Sequence, residues 1–163
     1  MLTLPKIVKR SVKPYVAVKR EVVIPFGPAI NKAMPAVGRF LAARGIERPG
    51  PALFKYDTID MPRLKMEFGF QLARKMDGEG EVIAGVLPAG RYATLTYFGH
   101  YRNLMDATAT LIGWAKLVGH SWDSRKGRDG EHFVSRFELY PNGPMDEPDS
   151  AKWETQIFIK LKD

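Results

Sequence analysis

Glu138 sits between Arg136 and Tyr140 at alternate positions of the run His132–Tyr140, His-Phe-Val-Ser-Arg-Phe-Glu-Leu-Tyr. Aromatic and β-branched residues dominate this run and Pro141-Asn142-Gly143-Pro144 stops it, so it reads as a strand. Alternation then puts Val134, Arg136, Glu138 and Tyr140 on one face, and Phe133, Ser135, Phe137 and Leu139 on the other, a core face. A carboxylate flanked by a guanidinium and a phenol has three uses. It can pair with Arg136 on a solvated face. It can hold an organic cation, offsetting the hydration lost on entry while ring faces attract the charge through their quadrupoles. Or it can orient or deprotonate water, with Tyr97, Tyr101 or Tyr140 as the proton donor. Aromatic walls for such a site are available in Tyr56, Tyr97, Tyr101, Trp114 and Tyr140, with His100 at its rim beside Tyr101. Trp114 and Trp153 read equally as core residues, and a register slip of one residue would turn Tyr97 toward the helices.

Other chemistries find no footing. The chain has no cysteine, which excludes thiol catalysis, disulfides and Cys-zinc sites. His100, His120 and His132 have neither i, i+4 spacing nor a His-Glu-x-x-His pattern, so no metal is expected, and no cofactor. There is no Gly-x-Ser-x-Gly elbow. Gly78-Glu79-Gly80 opens no helix and reads as a turn, not a phosphate loop.

The 163 residues suit one domain with a real core, and 45% hydrophobic against 26% charged residues is a globular composition. No apolar run approaches the roughly 20 residues that would cross a bilayer, and the N-terminus lacks the apolar stretch of a signal peptide. A cytoplasmic protein without membrane contact is expected. Net charge is +7, and residues 1–20 hold Lys6, Lys9, Arg10, Lys13, Lys19 and Arg20 with no acid. Residues 1–11 read as a flexible basic arm, a solvated terminus or a contact for an acidic partner. Nothing matches a sequence-reading nucleic-acid motif, so no direct sequence-specific binding is expected.

Periodicity divides the remainder, 12–163, into two similar parts of about 12–72 and 79–163. Val12–Arg20 alternates as a strand. From Ala29 to Arg44 apolar residues recur at helical spacing, with Gly45 as a stop and Pro35 either kinking the helix or marking its start near Met34. Ala52–Asp57 is a short strand, and residues 64–72 alternate cleanly as another. The order then returns: strands over 81–86 and 91–98, a helix from about Tyr101 to Val118, and strands over 132–140 and 153–161. Gly127–Gly130 reads as a flexible connection. Two β-α-β-β modules, related by a pseudo-two-fold axis, build an α+β fold with one antiparallel sheet. Both helices lie on one face, which leaves the other face for a site in the cleft between the halves.

Several segments, in this order, resemble the GyrI-like small-molecule-binding domain, which occurs alone and as the effector-binding part of AraC-type and MerR-type regulators. They are Phe54-Lys55-Tyr56-Asp57, Met66-Glu67-Phe68-Gly69-Phe70, Gly85-Val86-Leu87-Pro88-Ala89-Gly90-Arg91-Tyr92, Tyr97-Phe98-Gly99-His100-Tyr101, Gly113-Trp114, Phe137-Glu138-Leu139-Tyr140 and Trp153-Glu154-Thr155-Gln156-Ile157. The resemblance covers roughly residues 12–161 and implies tandem β-α-β-β modules around a cleft for amphipathic, often cationic, molecules. It places the family's buried carboxylate on Glu138, with Tyr140 two residues on, and a second acid on Glu67. Two positions depart from the family: His100 replaces the usual proline of Gly-Pro-Tyr, and Gln156 replaces a glutamate in the last strand. The resemblance implies a stand-alone ligand-binding protein serving sequestration or sensing. It also implies two alternatives: a hydrolase of strained-ring electrophiles using Glu138 and Tyr101, and a modulator contacting DNA gyrase.

Overall fold

The computed structural model describes residues 1–163. In chain order its elements are β1 (Lys6–Arg10), β2 (Lys13–Val23), α1 (Gly27–Ala42), β3 (Ala52–Asp60), β4 (Arg63–Gln71), β5 (Val82–Leu87) and β6 (Gly90–Phe98). A 3-10 turn over Tyr101–Asn103 leads into α2 (Leu104–Leu117), followed by β7 (Ser124–Gly127), β8 (Gly130–Phe133), β9 (Arg136–Tyr140) and β10 (Glu154–Lys160). The strands pair antiparallel in the order β1-β6-β10-β9-β3-β4-β2-β5, with the β7–β8 hairpin attached to β3. The tandem modules are thus β2-α1-β3-β4 and β6-α2-β9-β10, and they meet where β9 pairs with β3.

Two short links dictate the shape of this sheet. Only Ser11 and Val12 join β1 to β2, yet six strand spacings separate them in the sheet, a path of about 29 Å at ~4.8 Å each. From Arg10 to Lys13 an extended chain spans at most about 11 Å. The same holds for β5 and β6, joined through Pro88 and Ala89. Flat, the sheet could not close either link, so it is curled, bringing β1 toward β2 and β5 toward β6. Each module therefore receives its outermost strand from the segment that precedes the other: β1 flanks β6, and β5 flanks β2.

The curl gives the sheet an inner and an outer face, and both are apolar. Tyr15, Ala17, Leu53, Leu87, Tyr92, Phe137, Leu139 and Phe158 fill the inside. On the outside α1 packs Ala33, Val37 and Leu41 against Val16, Val18 and Phe68, and α2 packs Ala107 and Leu111 against Ala93, Leu95 and Ile157. The face without helices is therefore closed by the sheet itself, where a free face was expected. β2 and β4 approach closely at Gly69: a Cβ there would lie 1.8 Å from the Val16 carbonyl oxygen. No helix is long and apolar enough to cross a membrane.

Four local readings change. Residues 6–10, expected in a flexible arm, form β1 because their backbone pairs with β6 from Lys6↔Thr94 to Arg10↔Gly90. α1 begins at Gly27 with Pro28 in its first turn, and runs continuously past Pro35. The run His132–Tyr140 is broken at Val134-Ser135 into β8 and β9, and Gly127–Gly130 is the tight end of the β7–β8 hairpin. The break changes facing: Phe133 joins the outer cluster under α2, while Phe137 and Leu139 stay inside.

Candidate ligand-binding site

Glu138 opposes Phe54 across the seam between the modules, and Phe54 in turn opposes Phe68, so all three project to the outer, helix-bearing face. The carboxylate is 4% exposed. The Tyr56 hydroxyl donates to Oε1 at 2.8 Å, and the Tyr140 hydroxyl donates to Oε2. The two phenols come from opposite modules, so the site exists only where the halves meet. Arg136 makes no ion pair with this carboxylate; its guanidinium lies over the Phe133 ring at 4.9 Å and the Tyr56 ring at 5.6 Å. Burial pushes the Glu138 pKa up, opposed by the two phenols and by the charge of Arg136. Burial and the adjacent carboxylate push Tyr56 and Tyr140 well above the usual phenol range, so both stay hydrogen-bond donors.

Rings lead outward from this group. Phe54 lies 4.7 Å from Tyr140, Tyr140 meets Tyr101 edge-on at 5.6 Å, and Tyr101 lies 4.9 Å from Trp153. His100 packs on Trp153 at 5.3 Å, and its Nδ1 accepts from the Arg102 amide, fixing the turn that presents Tyr101. The Trp153 indole N–H donates to the Glu147 carbonyl at 2.7 Å. One strand from Glu138, Thr155 is fully buried on the same outer face, and its hydroxyl has no partner. A buried polar atom without a partner is rare enough to ask what completes it.

The structure thus brings together Glu138, Tyr56, Tyr140, Tyr101, His100 and Arg136. Tyr97 points to the same face but is buried under α2, where its hydroxyl donates to the His100 carbonyl at 2.9 Å; it supports the turn and does not line the carboxylate. Trp114 packs on the α2 cluster and lies 6.0 Å from His120, apart from this group. Trp153, read from the sequence as a core residue, and Thr155, not proposed for the site, complete the outer group. Trp153 immediately precedes β10 and lies on the outer side with Thr155 and Ile157, where its ring packs on Tyr101 and His100 instead of entering the core.

Glu67 is on the other side of the sheet. It opposes Lys55, and Lys55 opposes Phe137, so all three face inward. There the Tyr15 hydroxyl donates to Glu67 at 2.7 Å, while the Lys55 ammonium bridges Glu67 at 3.0 Å and Asp57. The sheet separates this cluster from Glu138, so Glu67 does not assist it. The two carboxylates share one ammonium. Burial and the proximity of Glu67 raise the Asp57 pKa to about 7. Burial opposes ionisation of Glu67, yet its bonds from Asp57, Lys55 and Tyr15 hold it below its ordinary value.

This difference has a sign in stability. Folded Asp57 holds its proton to higher pH than the unfolded chain, so between about pH 4 and pH 7 the unfolded state binds fewer protons. The contribution of Asp57 therefore declines as pH rises through that window. Comparison of wild type with Asp57→Asn by urea denaturation at about pH 5 and about pH 8 checks this. Wild type is expected to lose ground relative to the variant at the higher pH; a difference independent of pH would show that the two carboxylates titrate normally.

A model of the GyrI-like small molecule binding domain matches residues 5–162. In structure the chain is similar to the C-terminal domain of EcmrR, with a TM-score of 0.71 and 20% identity, covering 98% of each chain. It spans 57% of the EcmrR chain seen in complex with DNA. It is also similar to SAV2435 bound to tetraphenylphosphonium, with a TM-score of 0.57 and 11% identity over 98% of this chain and 94% of that one. A hydrolase from Listeria innocua aligns with a TM-score of 0.62 and 11% identity over 97% and 91% of the two chains. At these identities the likenesses establish the fold. No curated protein sequence matches the chain.

Proposed function

We propose that this chain, which belongs to the GyrI-like small-molecule-binding domain family, holds an amphipathic organic cation against Glu138, for sequestration or for sensing. The observation that carries this reading is a carboxylate buried to 4% exposure with no ion pair, held by two phenols at the inner end of a row of rings. A buried anion without a counter-charge is unfavourable on its own, and a ligand cation would relieve it. Ring faces at Tyr101, Tyr140 and Trp153 would attract the same charge. The neighbour SAV2435, bound to tetraphenylphosphonium, lends support by its fold. Calorimetric titration with tetraphenylphosphonium and with neutral triphenylphosphine oxide tests the reading. The cation is expected to bind at least about tenfold tighter, a difference of ~1.4 kcal/mol. Equal affinities would remove charge from recognition.

Hydrolysis of a small strained-ring electrophile is a second reading, favoured by the pairing of one carboxylate with two phenols and by the fold likeness to a hydrolase. Glu138 would orient water, and a phenol would protonate the leaving oxygen or carbon. Loss of turnover with binding retained in Glu138→Gln would support it; absence of turnover on epoxide and cyclopropane substrates would count against it. A gyrase contact through a basic arm has weaker support, since Lys6–Arg10 is a paired strand.

A further inference from the structure

The basic N-terminal stretch has a use that cation binding at Glu138 leaves untouched. At one end of the curled sheet lies a groove of about 1160 Å³, bounded by the ends of β1, β4 and β9, the start of β2, the Arg48–Ala52 segment and Gln156. Its charged lining is Lys9, Arg10, Lys13 and Arg48 against the single acid Asp146, and none of the four cations makes an ion pair.

Arg10 distinguishes this groove from a patch of solvated lysines. Its guanidinium is half-buried and stands over Phe158 at 4.3 Å, Phe137 at 5.2 Å and Tyr92 at 6.0 Å, the rings that fill the inside of the sheet. Its Nη2 donates to Gln71 Oε1 at 3.1 Å. A guanidinium carries five N–H donors, and no other side-chain acceptor is bonded to this one. Stacking on rings and the Gln71 bond hold the fork in place, so little freedom is lost when an oxyanion engages it. Phe70, Leu139, Pro51 and Pro141 give the same groove an apolar wall.

We infer that this groove is a second binding site, for a small organic anion: a carboxylate, sulfonate or phosphate on an apolar body. Arg10 engages the anionic head, Arg48 and Lys13 add charge at the rim, and the body lies along the apolar wall. The groove adjoins the Glu138 site at Tyr140, which lines both, but its anchor Arg10 stands over the inner rings while Glu138 faces the outer side of the sheet, and it stands whether or not a cation binds there. A concave lining with one anchored guanidinium suits a compact head group better than an extended polyanion.

The probe is anilinonaphthalene sulfonate, followed by fluorescence, beside N-phenylnaphthylamine, which keeps the apolar body without the sulfonate. Wild type is expected to bind the sulfonate at one saturable site and at least about tenfold tighter than the neutral probe, with affinity falling as salt rises. Arg10→Gln and the rim variant Lys13→Gln/Arg48→Gln are each expected to weaken the sulfonate about tenfold while leaving the neutral probe and tetraphenylphosphonium unchanged. The rim variant alters only exposed side chains, so its result holds even if Arg10→Gln perturbs the fold. Wild-type affinity in the rim variant, or equal binding of the two probes, would overturn the site. Displacement of the sulfonate by a short oligonucleotide at submicromolar concentration would overturn the small-molecule assignment.

Discussion

Glu138→Gln is expected to yield a protein that is more stable and a poorer binder. The carboxylate is buried without an ion pair, and burial holds its pKa above the ordinary value, so ionisation at neutral pH works against the fold. Glutamine keeps the shape, removes the charge, and still offers one oxygen to a tyrosine hydroxyl, while the other phenol can turn to accept from the amide. A gain on the order of 1 kcal/mol in urea denaturation near pH 7 follows. Affinity for tetraphenylphosphonium is expected to fall by about ten- to a hundredfold, ~1.4 to 2.8 kcal/mol, because the counter-charge is gone. The pairing of the two effects is diagnostic. A residue serving only the fold would lose stability when replaced; one retained for binding releases strain. Wild-type cation affinity in the variant, or marked destabilisation, would take Glu138 out of the proposed role. In the wild type, affinity for the cation should rise with pH as Glu138 ionises.

On the inner face the expectation has the opposite sign. Lys55 is 8% exposed and is the only cation bonded to both Glu67 and Asp57. Lys55→Met keeps most of the stem but leaves Glu67, itself 3% exposed, with bonds from the Tyr15 hydroxyl and Asp57 and no cation. Breaking a buried pair by removing one partner costs about 3–5 kcal/mol, a large part of the stability of a domain this size. The loss should shrink toward about pH 5, where the carboxylates can take up protons in place of the ammonium. Lys55→Met/Glu67→Gln should recover much of it. A loss below about 1 kcal/mol at neutral pH would mean that solvent reaches the cluster freely.

These two carboxylates mark the limit of what spacing can tell. Strand alternation correctly set Glu138 apart from Phe137 and Leu139, and Glu67 apart from Met66 and Phe68. It could not say that one set faces out and the other in, because that depends on the curl imposed by the two-residue links far away in the chain. Both faces of this sheet are apolar, so hydrophobicity gives no label for either. The ring set around Glu138 was legible for Tyr56, Tyr101 and Tyr140, whose strands or turns lie at the seam. Tyr97 and Trp114 were left open between wall and core, because their distance from the seam is a property of strand order and helix packing. The break at Val134-Ser135 escaped notice because its neighbours alternate well enough to imitate one strand. Arg10 read as a solvated charge because a pairing with β6, eighty residues away in sequence, turns it over the inner rings.

The exchange of outer strands between the modules bears on how a bound molecule is felt. Ser11-Val12 and Pro88-Ala89 act as two short tethers crossing between the halves, one in each direction. A guest that wedges open the β3–β9 seam near Glu138 must either load both tethers or change the curvature of the whole sheet. Neither half is a self-sufficient unit, since cutting the chain between them would leave each without the strand that borders its first one.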